Sequence, residues 1–426
     1  MRKFLTLTIL GIFACLSLTS CYDATEIDEQ AYVLTIGIDQ GISNKWRLTL
    51  QMPLMKGETG SGMGGGSDSN SGQQDGYDAI TVDAPSFFTG LNMIETSLPR
   101  KLNFQHTKFI VISEAMAKSG KLGEFFAPIV RYRQIRRTAH VIVTKGQAGS
   151  FIDENKTYIG SRLSKAQELI FLNAERTSYF PHVTLEDLYD GFKSTYRQPV
   201  AILGGVNEFK SYKEEGKPWG DEFLPGGIYY AGEMPRKGGN KTEFFGSAVF
   251  DGDTMVGELN GDETRMMLIG RGKLERGFFT IPDPVKPEYV IPIDVNQEKE
   301  REVKIQLQGK RPIIHLKVAL EGDILAVQSR VNYESSELKP VLERAVEQNI
   351  KSGLDEVIKK SKSMKADIMQ FGRVASWQFA TIPEWEKYFW IKQYENAEIT
   401  TEVEFTVNRT GTMLKSTSIL ATEGKE

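Results

Sequence analysis

A single apolar segment at the amino terminus constrains this 426-residue chain more than any other feature of its sequence. Arg2 and Lys3 are followed by a mostly apolar stretch that runs to Leu18, which is the pattern of an export signal. No later stretch approaches the roughly 18 consecutive apolar residues that a membrane-spanning helix needs. We therefore exclude a polytopic membrane protein and expect a water-compatible body that is exported.

The apolar segment ends in Leu18-Thr19-Ser20-Cys21, which resembles the bacterial lipobox of an aliphatic residue, two small residues and a cysteine. The small residues fit the narrow site of a signal peptidase, and the Cys21 thiolate is the nucleophile that takes a diacylglyceryl group. Cys15, the other cysteine, lies inside the removed segment, and a lone thiol in an exported chain is otherwise anomalous. We predict a lipoprotein attached through Cys21. The alternative is a plain secretory signal with an incidental cysteine.

Composition excludes further classes of protein. The chain has 52 Lys+Arg against 56 Asp+Glu, and loss of the signal removes two positive charges. Such a body has no global basic field for nucleic acid and would weakly repel anionic lipids, so the acyl chains must hold it at a membrane. The sequence predicts no metal site, because its 4 His and 2 Cys show no ligand spacing. It predicts no cofactor and no catalytic residue either, because it contains neither a nucleophile elbow nor a P-loop.

The first half of the mature chain mixes strands and helices. Runs at 31–39 and 45–52 predict a β-hairpin, with further strands near 79–82, 109–112 and 139–144. Apolar periodicity predicts helices over 85–98, 122–135, 162–173 and 185–192. Residues 57–76 are rich in Gly and Ser and are predicted to form a mobile loop. A G-x-G-x-x-G match in that loop lacks the flanking strand and helix of a dinucleotide site.

The second half is dominated by β-branched and alternating runs, which predict a meandering sheet. The predicted strands span 200–209, 226–231, 244–250, 255–259, 272–280, 289–295, 303–308, 313–320 and 324–331. A long helix over 338–358 follows, with Ser336 as its predicted N-cap. A helix over 384–394 and a closing hairpin of 398–407 and 412–420 complete the chain.

Two clusters of side chains have both a functional and a structural interpretation. The first is a set of four arginines at the end of a predicted helix: Arg131, Arg133, Arg136 and Arg137. They could bind a partner's carboxylates or lipid phosphates, or form a solvated helix terminus that the helix dipole favours. The aromatic-rich stretch from Trp377 to Trp390 is either core or a patch facing a membrane or partner. The structural interpretation is favoured for both.

Several short segments, taken in order, carry a resemblance. They are Cys21-Tyr-Asp23 with Glu26-Ile27, Thr35-Ile-Gly-Ile-Asp39, His106-Thr-Lys108 to Glu114, Arg133-Gln-Ile-Arg136 before a strand, Gly246 to Glu263-Thr264, Asp367-Ile368 with Phe371-Gly372, and Val403 to Gly411. End to end, the chain resembles the C-subunit family of spore germinant receptors. Tyr22, where that family usually has Trp, and the Gly/Ser insertion are departures.

The resemblance implies a lipid-anchored, non-catalytic subunit on the outer surface of the spore inner membrane. It would associate with two polytopic membrane subunits in a nutrient receptor that triggers germination. The family's fold implies the α+β class, with three mixed α/β domains of largely antiparallel sheets and packed helices. We place a signal peptide at 1–20, an N-terminal domain at 21–200, a β-rich middle domain at 201–332 and a C-terminal domain at 333–426, which contains the long helix and the hairpin.

A solute-binding lipoprotein of an import system is the alternative function. Such a protein has a similar length and the same anchor, but it needs two alternating βαβ lobes with parallel sheets around a cleft. The succession of strands from 244 to 331 argues against that architecture. A secreted cell-wall hydrolase would need a pair of catalytic carboxylates, and the sequence singles out none.

Overall fold

The structure is a computed structural model that describes residues 26–53, 77–156, 163–217, 223–297, 299–309 and 311–409, with three isolated residues near the amino terminus. The predicted acylation site at Cys21, the Gly/Ser segment and the strand predicted at 412–420 lie outside the described residues. The described part combines helices with mixed sheets, which confirms the α+β class.

The described chain contains runs of consecutive strands separated by single helices or by runs of helices. The strands are β1 Gln30–Tyr32, β2 Thr35–Gln40, β3 Trp46–Pro53, β4 Tyr77–Ala84, β5 Lys101–Asn103, β6 Phe109–Ser113, β7 His140–Thr144, β8 Val200–Val206, β9 Thr242–Asp251, β10 Thr254–Leu259, β11 Gly277–Pro282, β12 Val290–Asn296, β13 Glu302–Gln308, β14 Arg311–Ile324 and β15 Glu398–Arg409. The helices are α1 Phe87–Glu95, α2 Glu114–Ala117, α3 Leu122–Ile129, α4 Ala148–Glu154, α5 Leu163–Ile170, α6 Leu172–Thr177, α7 Leu185–Phe192, α8 Gly261–Arg271, α9 Lys339–Ser363, α10 Phe371–Ser376, α11 Ile382–Tyr388 and α12 Trp390–Glu395. A short 3₁₀ helix, Ile27–Glu29, precedes β1.

The first sheet has eight strands, with a parallel centre and antiparallel margins. Its order is β10-β9-β8-β7-β6-β2-β3-β4, and the four central strands β8, β7, β6 and β2 run parallel. Side chains of β6 alternate between two cores, with Phe109 and Val111 on one face and Ile110 and Ile112 on the other. Because both faces are covered, these strands are continuous apolar runs.

The second sheet, of five strands, is antiparallel except at one pair. β14 pairs with β12 and β13 along one side and runs parallel to β15 along the other. The long helix α9 packs against β15 and α8 through the apolar stripe that the sequence predicts, including Leu342, Val346 and Leu354. The predicted domain boundaries at 200 and 332 stay predictions. Each of the two large sheets combines strands from both sides of one of these boundaries.

The segment Thr35-Ile-Gly-Ile-Asp39 locks helix α4 onto the first sheet. The buried Asp39 carboxylate accepts hydrogen bonds from the Ala148 N–H at 2.8 Å and the Gly149 N–H at 3.2 Å, at the start of α4. A Cβ on Gly37 would lie 2.7 Å from the Ile152 side chain on the same helix. The carboxylate therefore satisfies amides that the helix leaves unpaired, and the glycine allows the close approach.

Three helix predictions need correction. The helix predicted over 122–135 ends at Ile129, because Pro128 lacks the amide that would continue its hydrogen bonding. The one predicted over 162–173 is described as two helices, α5 and α6, separated at the buried Phe171. The one predicted over 384–394 is also two, since Phe389 has a positive φ of 54°. Ser336 is not the N-cap of α9; that position is Leu338, without a side-chain cap.

Several strand predictions are wrong as well. Residues 226–231 form no strand, because two of their carbonyls accept hydrogen bonds from the first amides of α8: Gly227 from Asp262 and Tyr229 from Gly261. Residues 325–331 are not a strand, and β11 begins only at Gly277. The strands predicted at 244–250 and 255–259 are present, but they belong to the first sheet. They do not join the later strands in one meandering sheet.

We expect Asp39→Ala to lower the free energy of unfolding by about 2 kcal/mol, because two amides of α4 lose a charged acceptor in a buried site. Denaturant titration followed by circular dichroism measures the loss. Asp28→Ala, at an exposed position in the 3₁₀ helix, is the matched control and should change stability little. Equal stability of the two variants would contradict the capping role.

Candidate functional site

Three segments of the chain meet where the parallel strands β2, β6 and β7 begin. Thr35 of β2 pairs with Phe109 of β6, which pairs with His140 of β7. The residues just before these strands therefore lie side by side, one strand spacing of about 4.8 Å apart. We call segments 30–34, 103–108 and 131–139 the amino-terminal edge. It contains the first described strand, which is the part of the body nearest in sequence to Cys21.

The His106-Thr107-Lys108 segment holds the amino-terminal edge together. The buried Thr107 hydroxyl donates to the carbonyl of Val33 at 3.0 Å, and the Lys108 carbonyl accepts from the His140 amide at 2.8 Å. The His106 ring contacts Tyr32 edge-on, with ring centroids 5.0 Å apart. These contacts fix the chain that leads to Cys21 against the start of β6, which is a positioning role.

The four arginines lie together in the loop between α3 and β7. They were predicted to lie at a helix end, but α3 already ends at Ile129. Ile135 is 5% exposed and anchors the loop, while all four arginines are exposed. Arg137 lies 3.5 Å from Glu186, and the Phe104 amide donates to the Gln134 side chain at 3.4 Å. The loop therefore belongs to the amino-terminal edge and presents its guanidinium groups to solvent.

His140 occupies a mostly buried position at the start of β7. Its ring stacks on Phe171 with centroids 3.7 Å apart and contacts His182 edge-on at 4.8 Å. Its Nδ1 lies 3.3 Å from the Val183 carbonyl. Burial, reinforced by His182, lowers the pKa of His140 to about 4, so the ring is neutral at physiological pH. The stacked, neutral ring therefore has a packing role.

Asp367 organises a buried polar cluster between distant parts of the chain. Its carboxylate accepts from the amides of Phe371 at 3.1 Å and Gly372 at 2.6 Å, and from the Trp390 indole at 2.9 Å. Its own amide donates to Gln198 at 3.2 Å. Burial raises the pKa of Asp367, against the opposing effect of these donors. Because these donors come from segments far apart in the sequence, Asp367 forms a structural junction between them.

Two arginines complete this cluster, and sequence analysis identified neither. The Arg271 Nε donates to the Ile368 carbonyl at 2.6 Å, and Arg301 donates to the carbonyls of Gly270 and Met369, each at 2.5 Å. Burial, with Arg301 nearby, lowers the pKa of Arg271 to about 10. Arg271 lies at the end of α8. The sequence pattern that could have predicted this helix is the capping box formed by Asn260 and Glu263 at its start.

The aromatic-rich stretch divides between the core and the surface. Trp385 and Trp390 are 4% and 2% exposed and stack with centroids 5.7 Å apart, whereas Trp377 is 76% exposed and Phe389 62%. The Trp385 indole donates to the Thr195 hydroxyl at 3.1 Å and closes one side of a cavity of about 520 Å³. The core interpretation thus holds for Trp385 and Trp390, and a membrane-facing or partner-facing patch of the exposed rings stays a prediction.

Two other kinds of feature are absent from the part of the chain that the structure describes. No group of three or more His, Cys, Asp or Glu side chains is placed to bind a metal ion there. None of the helices described is both long enough and apolar enough to cross a bilayer.

Comparison with known proteins assigns the chain to a protein family. Residues 23–204 match a model described as "Spore germination protein N-terminal domain", and residues 245–411 match "Spore germination B3/GerAC like, C-terminal". The chain belongs to the GerAC family, the C subunits of germinant receptors. The family match therefore confirms the resemblance read from the sequence.

Relatives and a solved structure agree with the GerAC assignment. The chain is 22% identical to the putative spore germination protein YfkR and 24% identical to spore germination protein KC, both of Bacillus subtilis (strain 168). These alignments cover 98% and 96% of this chain and 100% and 96% of the relatives. The crystal structure of the GerBC protein matches with a TM-score of 0.52 at 15% identity, over 87% of this chain and 96% of that one. That likeness shows a shared fold.

The GerAC segments seen in the sequence have structural explanations. Gly37 and Asp39 seat α4, as described above, and Asp367 joins the carboxyl-terminal helices to the body. Glu263 caps α8 and binds Lys360 of α9 at 2.6 Å, while Thr264 lies within hydrogen-bonding distance of Ser247 at 2.9 Å. These residues maintain the fold.

Acid should destabilise the protein through His140. Because its pKa is about 4 when folded and ordinarily about 6.5, the folded state resists protonation between these values. We expect the free energy of unfolding to fall by about 3 kcal/mol from this group as the pH drops from above 6.5 to 4. Denaturant titrations across this range measure the slope.

The control for this pH dependence is His106→Gln at an exposed position, which should keep it. His140→Gln should flatten the profile over the same interval, whatever its effect on stability at neutral pH. An unchanged slope in His140→Gln would show that other groups cause the acid sensitivity.

The two halves of the aromatic stretch should respond differently to truncation. We expect Trp390→Ala to lower the free energy of unfolding by about 3–5 kcal/mol, because a buried ring and a donor to Asp367 are lost. Trp377→Ala should change it by less than about 0.5 kcal/mol, since that ring is exposed. Thermal unfolding monitored by tryptophan fluorescence and circular dichroism compares them. Similar losses would contradict the division.

Proposed function

We propose that this chain is a lipid-anchored C subunit of a nutrient germinant receptor, held on the outer surface of the spore inner membrane. It acts as a non-catalytic scaffold that is needed, with two polytopic membrane subunits, to trigger germination. The observation that carries the proposal is the match of both GerAC family models, which together span most of the mature chain. The lipobox-like Leu18-Thr19-Ser20-Cys21 supports the anchor.

The anchor follows from the chemistry of the amino terminus. Acylated Cys21 would carry two or three chains, which exceeds the marginal membrane binding of a single chain at about 0.8 kcal/mol per buried CH₂. The body itself supplies weak attraction at best, because its net charge is negative. Attachment therefore depends on the modification of one thiol.

The scaffold role is supported by the character of the buried polar groups. Asp39, Glu263 and Asp367 are each engaged by amides or a lysine within the fold. A general acid or base would need to reach a substrate from a cleft with its proton free to move. Because these three carboxylates are engaged within the fold, we assign the chain a role in assembly and not in catalysis.

A solute-binding lipoprotein is the competing function, and the 520 Å³ cavity near Trp385 is the observation in its favour. Its volume falls within the range of small-molecule pockets. The described chain, however, has one parallel-centred sheet and one largely antiparallel sheet instead of two matched parallel lobes. The receptor-subunit proposal is therefore preferred.

Removing the thiol tests the anchor. We expect Cys21→Ala to move the protein from the membrane pellet to the soluble fraction, and to abolish or strongly delay nutrient-triggered germination when it replaces the native chain. Fractionation of disrupted spores and loss of spore refractility measure the two effects. Intact mass of the wild-type protein should show the acyl modification and removal of residues 1–20.

Cys15→Ala is the matched control, because it removes the same atoms from the predicted signal peptide. It should leave both localisation and germination unchanged. A Cys21→Ala protein that stays in the pellet and supports germination would refute the anchor. Detergent co-purification of the acylated wild-type chain with candidate polytopic subunits tests the assembly separately, and repeated failure to recover them would refute the partnership.

A further inference from the structure

We propose that the amino-terminal edge is a second membrane contact, at which Arg131, Arg133 and Arg136 bind the phosphates of anionic lipid headgroups. This inference rests on the proposed acylation of Cys21. It commits the arginine loop to one ligand, the surface of an anionic bilayer, and gives the tethered body a preferred orientation.

The covalent connection limits how far this edge can lie from the bilayer. Ile27, in the 3₁₀ helix, lies six positions after Cys21 in the sequence. Even a fully extended chain of that length spans only about 20 Å, at about 3.4 Å per residue. The next strand, β1, is fixed by parallel pairing with β5. An anchored protein therefore keeps this edge close to the headgroups.

The arginine loop is held at the same edge by packing. The ring of Tyr132 lies 5.9 Å from that of Phe104, which directly follows β5, and 5.3 Å from that of Phe88. Its neighbour Ile135 is buried. The guanidinium groups thus project from a fixed backbone adjoining the anchored segment, although over one hundred residues separate them from Cys21 in sequence.

Three of the four arginines are available for a ligand. Among the described residues, Arg131, Arg133 and Arg136 form no ion pair, whereas Arg137 lies 3.5 Å from Glu186. A guanidinium binds phosphate through two parallel N–H donors, and it is weakly hydrated, so it suits a headgroup surface. The adjoining Phe88 is 41% exposed and adds an apolar ring at the same position.

The net negative charge of the body opposes this contact only weakly. At physiological ionic strength the Debye length is about 8 Å, so a headgroup responds to the nearest charges and not to the total. Asp28 and Glu29 are exposed beside the anchored segment and partly offset the arginines. A protein partner with carboxylates is the competing occupant. It is less favoured because the anchor presents this edge to lipid whether or not a partner is present.

A fluorescence-quenching experiment on the mature acylated protein tests the contact. Because Cys21 is blocked by acylation and Cys15 is removed, an introduced cysteine would be the one reactive thiol. Thr138→Cys places a fluorophore in the arginine loop without changing an arginine. Ser211→Cys, exposed beyond the carboxyl end of β8 at the opposite edge of the sheet, is the matched control. Both proteins are reconstituted into vesicles containing a nitroxide on the lipid headgroup.

We expect several-fold stronger quenching at position 138 than at 211 in vesicles of equal parts phosphatidylcholine and phosphatidylglycerol. Quenching at 138 should fall when Arg131, Arg133 and Arg136 are changed to Gln, and at 1 M salt, where the Debye length is about 3 Å. Changing the three residues to Lys should retain most of it, because the charge remains. A matched triple change of Lys210, Lys213 and Lys299 to Gln, all exposed elsewhere, should have no effect.

The outcomes separate this inference from the function on which it rests. Protein that fails to float with phosphatidylcholine vesicles and has a free Cys21 overturns the anchor and the contact together. Protein that floats but is quenched equally at 138 and 211, or independently of anionic lipid and the arginines, overturns the contact alone. Shielding of position 138 only after co-reconstitution with the membrane subunits overturns it in favour of a protein partner.

Discussion

The parallel pairing of β2, β6 and β7 is the constraint on which the rest of the molecule depends. Parallel neighbours begin at the same edge of a sheet, so segments far apart in sequence are forced together there. Burial of the sheet on both faces supplies the driving force, and the Asp39 carboxylate fixes the helix that covers one face. This register, together with the packing of Tyr132 against Phe104, places the arginine loop beside the first described strands.

Local sequence predicted the elements whose apolar pattern is simple. The bounds of α7 and the stripe of α9 follow from helical periodicity, and β6 follows from an uninterrupted apolar run. Helix α8 was not predicted, because it is buried on almost all sides, including Thr264 and Arg265. It therefore has no amphipathic stripe to detect. Its signals were instead the capping residues at its start and Gly272, with a positive φ of 70°, at its end.

The candidate site was only partly accessible to sequence. The arginines are visible as residue types, but their position beside the first described strands depends on pairings across about a hundred residues that no local pattern specifies. The same is true of the cluster that joins Gln198, Arg271 and Asp367. Long-range hydrogen bonds of this kind are set by the global fold, so their partners cannot be derived from spacing.

Two attachments of different physical character would divide the work at the membrane. Acyl chains supply affinity without orientation, because a flexible tether leaves the body free to rotate. A rigid charged loop supplies little affinity, but it would distinguish one orientation from the others, because Arg131, Arg133 and Arg136, which form no ion pair among the described residues, lie at one edge of the body. A scaffold confined to a surface meets its partners productively only when the correct face is presented. The proposed contact would therefore make receptor assembly depend on the order of strands in one sheet.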